Sequence, residues 1–262
     1  MLKKYDSKFS CDMSFRQGKS ELLRCTGELF DFIKVNDYRE SRPFDPPSFL
    51  PRWTADIEVY DAGSKGRGVR ARSDIKAGFI VLIEPPIVQA ISSGNNILYA
   101  TDKNETRKTT TEFIVQALIT RAKREAVLSN IIDKLYDGNR DVDTNLTLSD
   151  FLPNLASNQI LLPTHHKYSD RDRVVLSAER IRSIITLNSF GSSADAFDLS
   201  KKHDSNMYST LSLFNHSPDP SCHYSEVGGC AVVFTGKHVS AGSELTICDN
   251  PDEDVLHKLW GF

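Results

Sequence analysis

The strand-forming segments of this chain lie toward its two ends, and the helical patterns lie between them. Near the front, WTADIEVY (53–60), the GSKGRG turn, VRARS, IKAG and FIVLIEPPIVQAI read as strands and turns rich in β-branched residues. At the back, CAVVFTG (230–236) and ELTIC (244–248) return to strand patterning. Between them, Ile114, Ala117, Leu118, Leu128, Ile132 and Leu135 recur on one helical face, which predicts a helix within 112–136. A further helix is predicted over 171–187, with Val174, Val175, Ala178, Ile181 and Ile185, running into LNSFG. Residues 92–111 read as a polar loop and 137–170 as irregular. Strands that must meet across a helical insertion imply an α+β, mostly β domain.

Two features set its limits. Leu22, Cys25, Leu29 and Ile33 predict a helix over 20–35, and RPFDPPSFLPRW then interrupts regular structure with its prolines. That places a boundary near Trp53: residues 1–51 form a helix and proline-rich lead-in, and 52–262 the main domain, with the helical insertion at about 92–187. There is also a short echo, since DIKAGFIVL (74–82) and HVSAGSEL (238–245) share apolar-x-Ala-Gly. Ala-Gly predicts a tight turn with glycine at positive φ, so the echo reads as shared turn chemistry and not as duplication.

Composition excludes several classes. With 39% hydrophobic and 26% charged residues, the chain is neither disordered nor membrane-like in balance. No run approaches the ~20 apolar residues of a membrane helix. A net charge of -3 speaks against nucleic-acid binding by bulk charge, and RAKRE (121–125) reads as the wet face of a helix. The N-terminus lacks a signal-peptide core, so the Asn104 and Asn145 glycosylation triplets carry little weight. The five cysteines contain no CxxC pair, which points to a reducing nuclear or cytosolic setting and not to secretion. Cys222, His223, Cys230 and Cys248 match no compact zinc spacing, and His165-His166 lies in a polar loop, so no metal site is expected.

Four blocks follow one another in order: GSKGRGVRARSDIKAGFIVLIEPP, ITLNSFG, YSTLSLFNHSPDP and SAGSELTIC. A lone G-x-G would be weak evidence, but the ordered set is strong. Together they resemble the SET domain of protein-lysine methyltransferases, in its split form in MYND-containing enzymes and in fungal tetratricopeptide-repeat proteins. The resemblance spans about residues 53–262 with a divergent middle. It implies small twisted sheets, a helical insertion and a threaded C-terminal segment. It implies methyl transfer from S-adenosylmethionine to a lysine amine of a histone or other protein. The amine must be neutral and in line with the leaving sulfur, which a narrow apolar channel favours by desolvation. By motif, Lys65, Gly66 and Arg67 would border the methionine end of the cofactor, with Gly66 and Gly68 allowing close backbone approach. Asn188 would hold the cofactor's polar end, with a helix-end role as its competitor because Gly191 is near. Ser212, Asn215 and His216 would complete the wall, His216 offering backbone groups to the adenine.

The chain departs from the family pattern at three places. Pro218 stands where the family has a zinc-binding cysteine, and Ser221 where it has an asparagine. HKLWGF ends at Phe262, where the family continues into C-x-C-x-x-C; the expectation is therefore no zinc, the competing one a longer chain. Asp249 occupies the position of the family's channel tyrosine, and a carboxylate there favours the charged ammonium. Tyr208 and Tyr224 are candidates to replace that ring. The expected function is a lysine methyltransferase acting on a protein with an exposed lysine, without direct nucleic-acid or membrane partners. The alternative is a catalytically silent SET-derived module that binds S-adenosylmethionine or a protein.

Overall fold

The computed structural model describes residues 52–92, 110–123, 125–138, 143–153, 174–191, 203–227 and 230–248. The expected helix at 20–35, the proline lead-in, His165-His166, Asp249 and the HKLWGF end lie outside the described residues.

Strands β1 (Trp53–Thr54), β2 (Ile57–Asp61) and β3 (Arg67–Ala71) are followed by β4 (Ile80–Glu84) and β5 (Val88–Ser92). Helices α1 (Thr110–Ala122), α2 (Ala126–Asp133), α3 (Leu148–Phe151) and α4 (Ala178–Asn188) come next. The chain returns through β6 (Ser189–Gly191), β7 (His203–Met207), β8 (Asn215–His216), β9 (Cys222–Val227), β10 (Cys230–Thr235) and β11 (Glu244–Ile247). The strands make three small sheets, in the orders β1-β4-β10-β9, β2-β3-β11-β8 and β5-β7-β6. The α+β, mostly β expectation is met.

Chemistry explains the break between the first and third sheets. Every residue of β4 is buried, as expected of a central strand with apolar neighbours on both faces. Pro85 and Pro86 then deny the ladder two amide donors. The chain leaves the first sheet there and re-enters the third, where Ile87 donates its amide to the Met207 carbonyl at 2.8 Å. One apolar run thus becomes two strands in different sheets.

The Ala-Gly echo has a structural counterpart. Gly78 and Gly242 both have φ of 79°. Ile75 and Val239, just ahead of each turn, bridge one another, with their amides donating reciprocally at 2.8 and 2.9 Å. The echoed segments therefore pair with each other and pin the C-terminal strand beside the glycine turn.

The helical insertion differs from the pattern reading in detail. The helix predicted within 112–136 is two helices, because Glu125 takes an extended conformation (φ -118°, ψ 96°) and restarts the chain as α2. The last predicted helix begins later, at Ala178, where the Ser177 hydroxyl accepts the Arg180 amide at 3.2 Å. Arg180 then ties α4 to the end of α2, donating to Asp133 Oδ1 at 2.5 Å and to Asp137 Oδ2 at 2.8 Å.

The most constrained polar group is Glu84 at the end of β4, fully buried. Its carboxylate accepts from the Ser209 amide (3.0 Å) and hydroxyl (2.6 Å), the Thr210 amide (3.0 Å) and the Leu211 amide (3.0 Å). Burial pushes its pKa up, while the donors of Ser209, Thr210 and Leu211 pull it down. These bonds lock the 3-10 turn Leu211–Leu213 onto the first sheet.

Two stability outcomes follow. Glu84→Gln turns an amide group toward backbone donors and should lower unfolding free energy by about 3 kcal/mol, read from urea midpoints. A loss below about 1 kcal/mol would remove Glu84 as an anchor. Gly242→Ala meets no atom within 4 Å, so only its positive φ opposes it; the expected loss is about 1 kcal/mol.

Candidate functional site

The GSKGRG segment forms a tight corner between β2 and β3. Asp61 Oδ1 accepts the Gly63 amide at 2.8 Å, and Gly63–Lys65 makes one 3-10 turn. Gly66 sits at φ 75°, ψ -120°, a backbone conformation that a side chain would strain. Gly68 is required for a different reason. A Cβ there would stand 2.9 Å from Asn215 Nδ2, Glu244 Oε1 and Tyr60 Cε1. The glycine lets three chain segments converge on one point.

That point is organised by Asn215 and Glu244. β8 runs parallel to β11, with Asn215 opposite Thr246 and His216 opposite Ile247, and β11 is antiparallel to β3 on its other side. The C-terminal strand is thus inserted between the strand after the glycine turn and the Asn-His segment. Asn215 Nδ2 donates to the Arg67 carbonyl (3.1 Å) and to Glu244 Oε1 (2.8 Å). Lys65 Nζ lies 3.8 Å from Glu244 Oε2. Burial and then the Glu244 charge raise the Tyr60 phenol above its ordinary value.

Asn188 ends α4 and is buried. Its Nδ2 donates to the Ile184 carbonyl (2.6 Å) and the Tyr136 carbonyl (2.7 Å), so the helix-end role claims both of its protons. Ser212 Oγ bonds the Tyr208 carbonyl (2.5 Å) and the Asn188 carbonyl (3.2 Å). One hydroxyl therefore joins the Ser212–His216 segment to the end of α4. Asn188 and Asn215 have the same residual chemistry: their amide protons are spent on the fold, and each keeps a carbonyl oxygen as its acceptor.

Arg67 is the cation of this neighbourhood. It is only 7% exposed, and its guanidinium lies 5.3 Å from the Phe151 ring centroid. Burial lowers its pKa, with the charge of Asp143 opposing. Among the described residues no acceptor bonds this guanidinium. A buried arginine against an aromatic ring, with donors that no described residue takes up, is suited to an anionic group.

The structure gathers Lys65, Gly66, Arg67, Gly68, Asn215 and His216 around the β3–β11–β8 junction, and Ser212 links this group to Asn188. Tyr208 is fully buried, and its hydroxyl donates to Glu226 Oε1 at 2.8 Å. Tyr224 lies edge-on to Phe190, with centroids 5.5 Å apart. Ser221 staples the loop to β11 by exchanging bonds with Thr246, its amide donating to Thr246 Oγ1 (3.1 Å) and its Oγ accepting from the Thr246 amide (2.9 Å). Pro218 is exposed. Burial pushes the Cys222 thiol up to about 12, which keeps it protonated at neutral pH and a poor metal ligand. Among the described residues no three metal-binding side chains converge.

Tyr60, Glu84, Phe151 and Glu244 belong to the site's architecture but were not singled out from the sequence. Glu244 opens the ELTIC block, in which only Cys248 was weighed, with Asp249 marked just beyond it. The other three act across long separations, Glu84 reaching its partners at 125 to 127 residues.

No curated protein matches the chain in sequence. Among solved structures, the Neurospora SET domain protein DIM-5, a histone lysine methyltransferase, matches with 13% identity and a TM-score of 0.32. The match covers 76% of this chain and 54% of that one, so the chain spans about half of its length. The family model for the SET domain matches residues 66–248, from the strained glycine of the corner to the end of the inserted strand, more than half of the sequence. The chain belongs to the SET domain family.

Proposed function

We propose that the chain binds S-adenosylmethionine at the β3–β11–β8 junction and methylates a lysine side chain of a protein. The observation that carries this is the distribution of charge and acceptors. Arg67 offers an anion buried donors that no described residue takes up, while Asn188 and Asn215 keep only side-chain carbonyl oxygens for a ligand. A donor set for a carboxylate beside acceptors for an ammonium suits the amino-acid end of S-adenosylmethionine. The residues present therefore fit the group. Membership of the SET family supports the same reading.

S-adenosylmethionine, when bound, supplies an electrophilic methyl group on a sulfonium. The protein's own part is positional. Gly66 permits the backbone of the corner, Gly68 lets Tyr60, Asn215 and Glu244 converge, and Phe151 lies against the Arg67 guanidinium. Glu244 fixes Asn215, and Glu84 fixes the turn that leads to it. Groups held in advance lose little freedom on binding.

A second reading follows from Asp249, which stands at the family's tyrosine position. A module that binds the cofactor or a lysine-bearing partner without transferring the methyl group would retain the junction and lack the ring.

Calorimetric titration of S-adenosylmethionine into the 262-residue chain tests the first claim. Wild type should bind, and Arg67→Met should weaken binding at least about tenfold, since a charged hydrogen bond contributes on the order of 1.5–3 kcal/mol. A folded wild type that binds nothing would sink the cofactor reading. Transfer is tested separately, with radiolabelled cofactor and a panel of lysine-rich proteins. Asp249→Tyr should raise incorporation; binding without incorporation in either form leaves the module.

A further inference from the structure

Pro218 directly follows a serine, and Ser217-Pro218 is the only site in the sequence where proline follows a serine or threonine. Proline keeps the residue before it out of the helical region and has no amide proton of its own. A serine hydroxyl presented ahead of a proline is the acceptor that proline-directed protein kinases take. Here it stands directly after Asn215 and His216, the two residues of β8.

The 217–220 loop is fixed at its two feet and held by little between them. At one foot the Ser217 amide donates to the Ile247 carbonyl at 2.9 Å, one rung beyond the β8–β11 ladder. At the other, the Ser221 carbonyl accepts the Gly236 amide at 2.9 Å. Between them Pro218 and Asp219 are exposed, and the two prolines bring no amide donors. Lys237 Nζ donates to Asp219 Oδ2 at 2.7 Å, but the side chains are 47% and 92% exposed, so this pair contributes little. Ser217 is half-buried, and its hydroxyl accepts the Asp219 amide at 3.2 Å. Among the described residues no acceptor takes the hydroxyl's proton, which leaves that proton to an incoming base.

We propose that Ser217 is a phosphate acceptor for a proline-directed protein kinase, and that phosphate there loosens β8 from β11 and lowers cofactor affinity. The first half stands alone; the second rests on the cofactor reading above. In the transfer, the kinase's base takes the hydroxyl proton and Ser217 Oγ bonds the γ-phosphorus of a nucleoside triphosphate. The bond from that phosphorus to the β–γ bridging oxygen breaks, and the nucleoside diphosphate leaves. The product adds a charge of about -1.5 to -2. Asp219 is the near anion and repels it, and a half-buried site hydrates it poorly. Ser217 therefore turns outward, which breaks its amide's bond to Ile247 and frees the end of the Asn-His strand.

The test incubates the whole folded chain with magnesium ATP and, in separate reactions, a mitogen-activated and a cyclin-dependent protein kinase. Peptide mapping by mass spectrometry should place phosphate on Ser217, and Ser217→Ala should lose it. No phosphate at Ser217 of the wild type from either kinase overturns the proposal. The phosphorylated chain is then compared with the unmodified one by amide hydrogen exchange and by calorimetric titration of S-adenosylmethionine. The Ser217 amide should lose its protection, affinity should fall about tenfold or more, and phosphatase treatment should restore both. Phosphate on Ser217 with exchange and affinity unchanged overturns the control of β8. An unmodified folded chain that binds no S-adenosylmethionine overturns the cofactor reading instead, and mapping and exchange still decide the acceptor site and the loosening.

Discussion

A buried carboxylate at the end of a central strand sets the position of nearly everything else. Glu84 stands where β4 stops and the prolines begin. Its oxygens gather the amides of Ser209, Thr210 and Leu211 and the Ser209 hydroxyl. Burial raises its pKa above the ordinary carboxylate value, and the donors of Ser209, Thr210 and Leu211 oppose that rise. The consequence is geometric. Ser212, Asn215 and His216 follow within a few residues of this anchor, so the candidate cofactor segment inherits its position from the first sheet while its strand pairs with the second. Ser209 Oγ also reaches the Phe151 carbonyl at 3.1 Å, which brings the insertion under the same control.

The insertion is therefore part of the site. Phe151 carries the Arg67 guanidinium on its ring and the Ser209 hydroxyl on its carbonyl. Lys134 pairs with Asp150 at 2.8 Å, and Asp150 accepts the Thr147 amide at 2.8 Å, so the one-turn α3 is braced at both ends. Asn188 joins Tyr136 from the other direction. An insertion that looks peripheral in sequence thus holds the only cation buried at the junction among the described residues.

The strands that were legible in sequence are those whose apolar residues run without interruption. Ile80–Glu84 and Cys230–Thr235 pair with each other and are almost wholly buried, so their composition reflects two packed faces. His203–Met207 contains no β-branched residue and was not foreseen as a strand. It is one because β5 and β6 bracket it, a tertiary fact without a local trace. Cys222–Val227 alternates too weakly to stand out, and the two-residue β8 is beyond any periodicity. The break at Glu125 was hidden because apolar residues recur on both sides of it, Leu118 before and Leu128 and Ile132 after, all buried. At the site, the glycine corner and the Asn-His pair were visible through their ordered blocks. Their supports were not, since Tyr60, Glu84 and Phe151 enter from separate regions and acquire meaning only by contact.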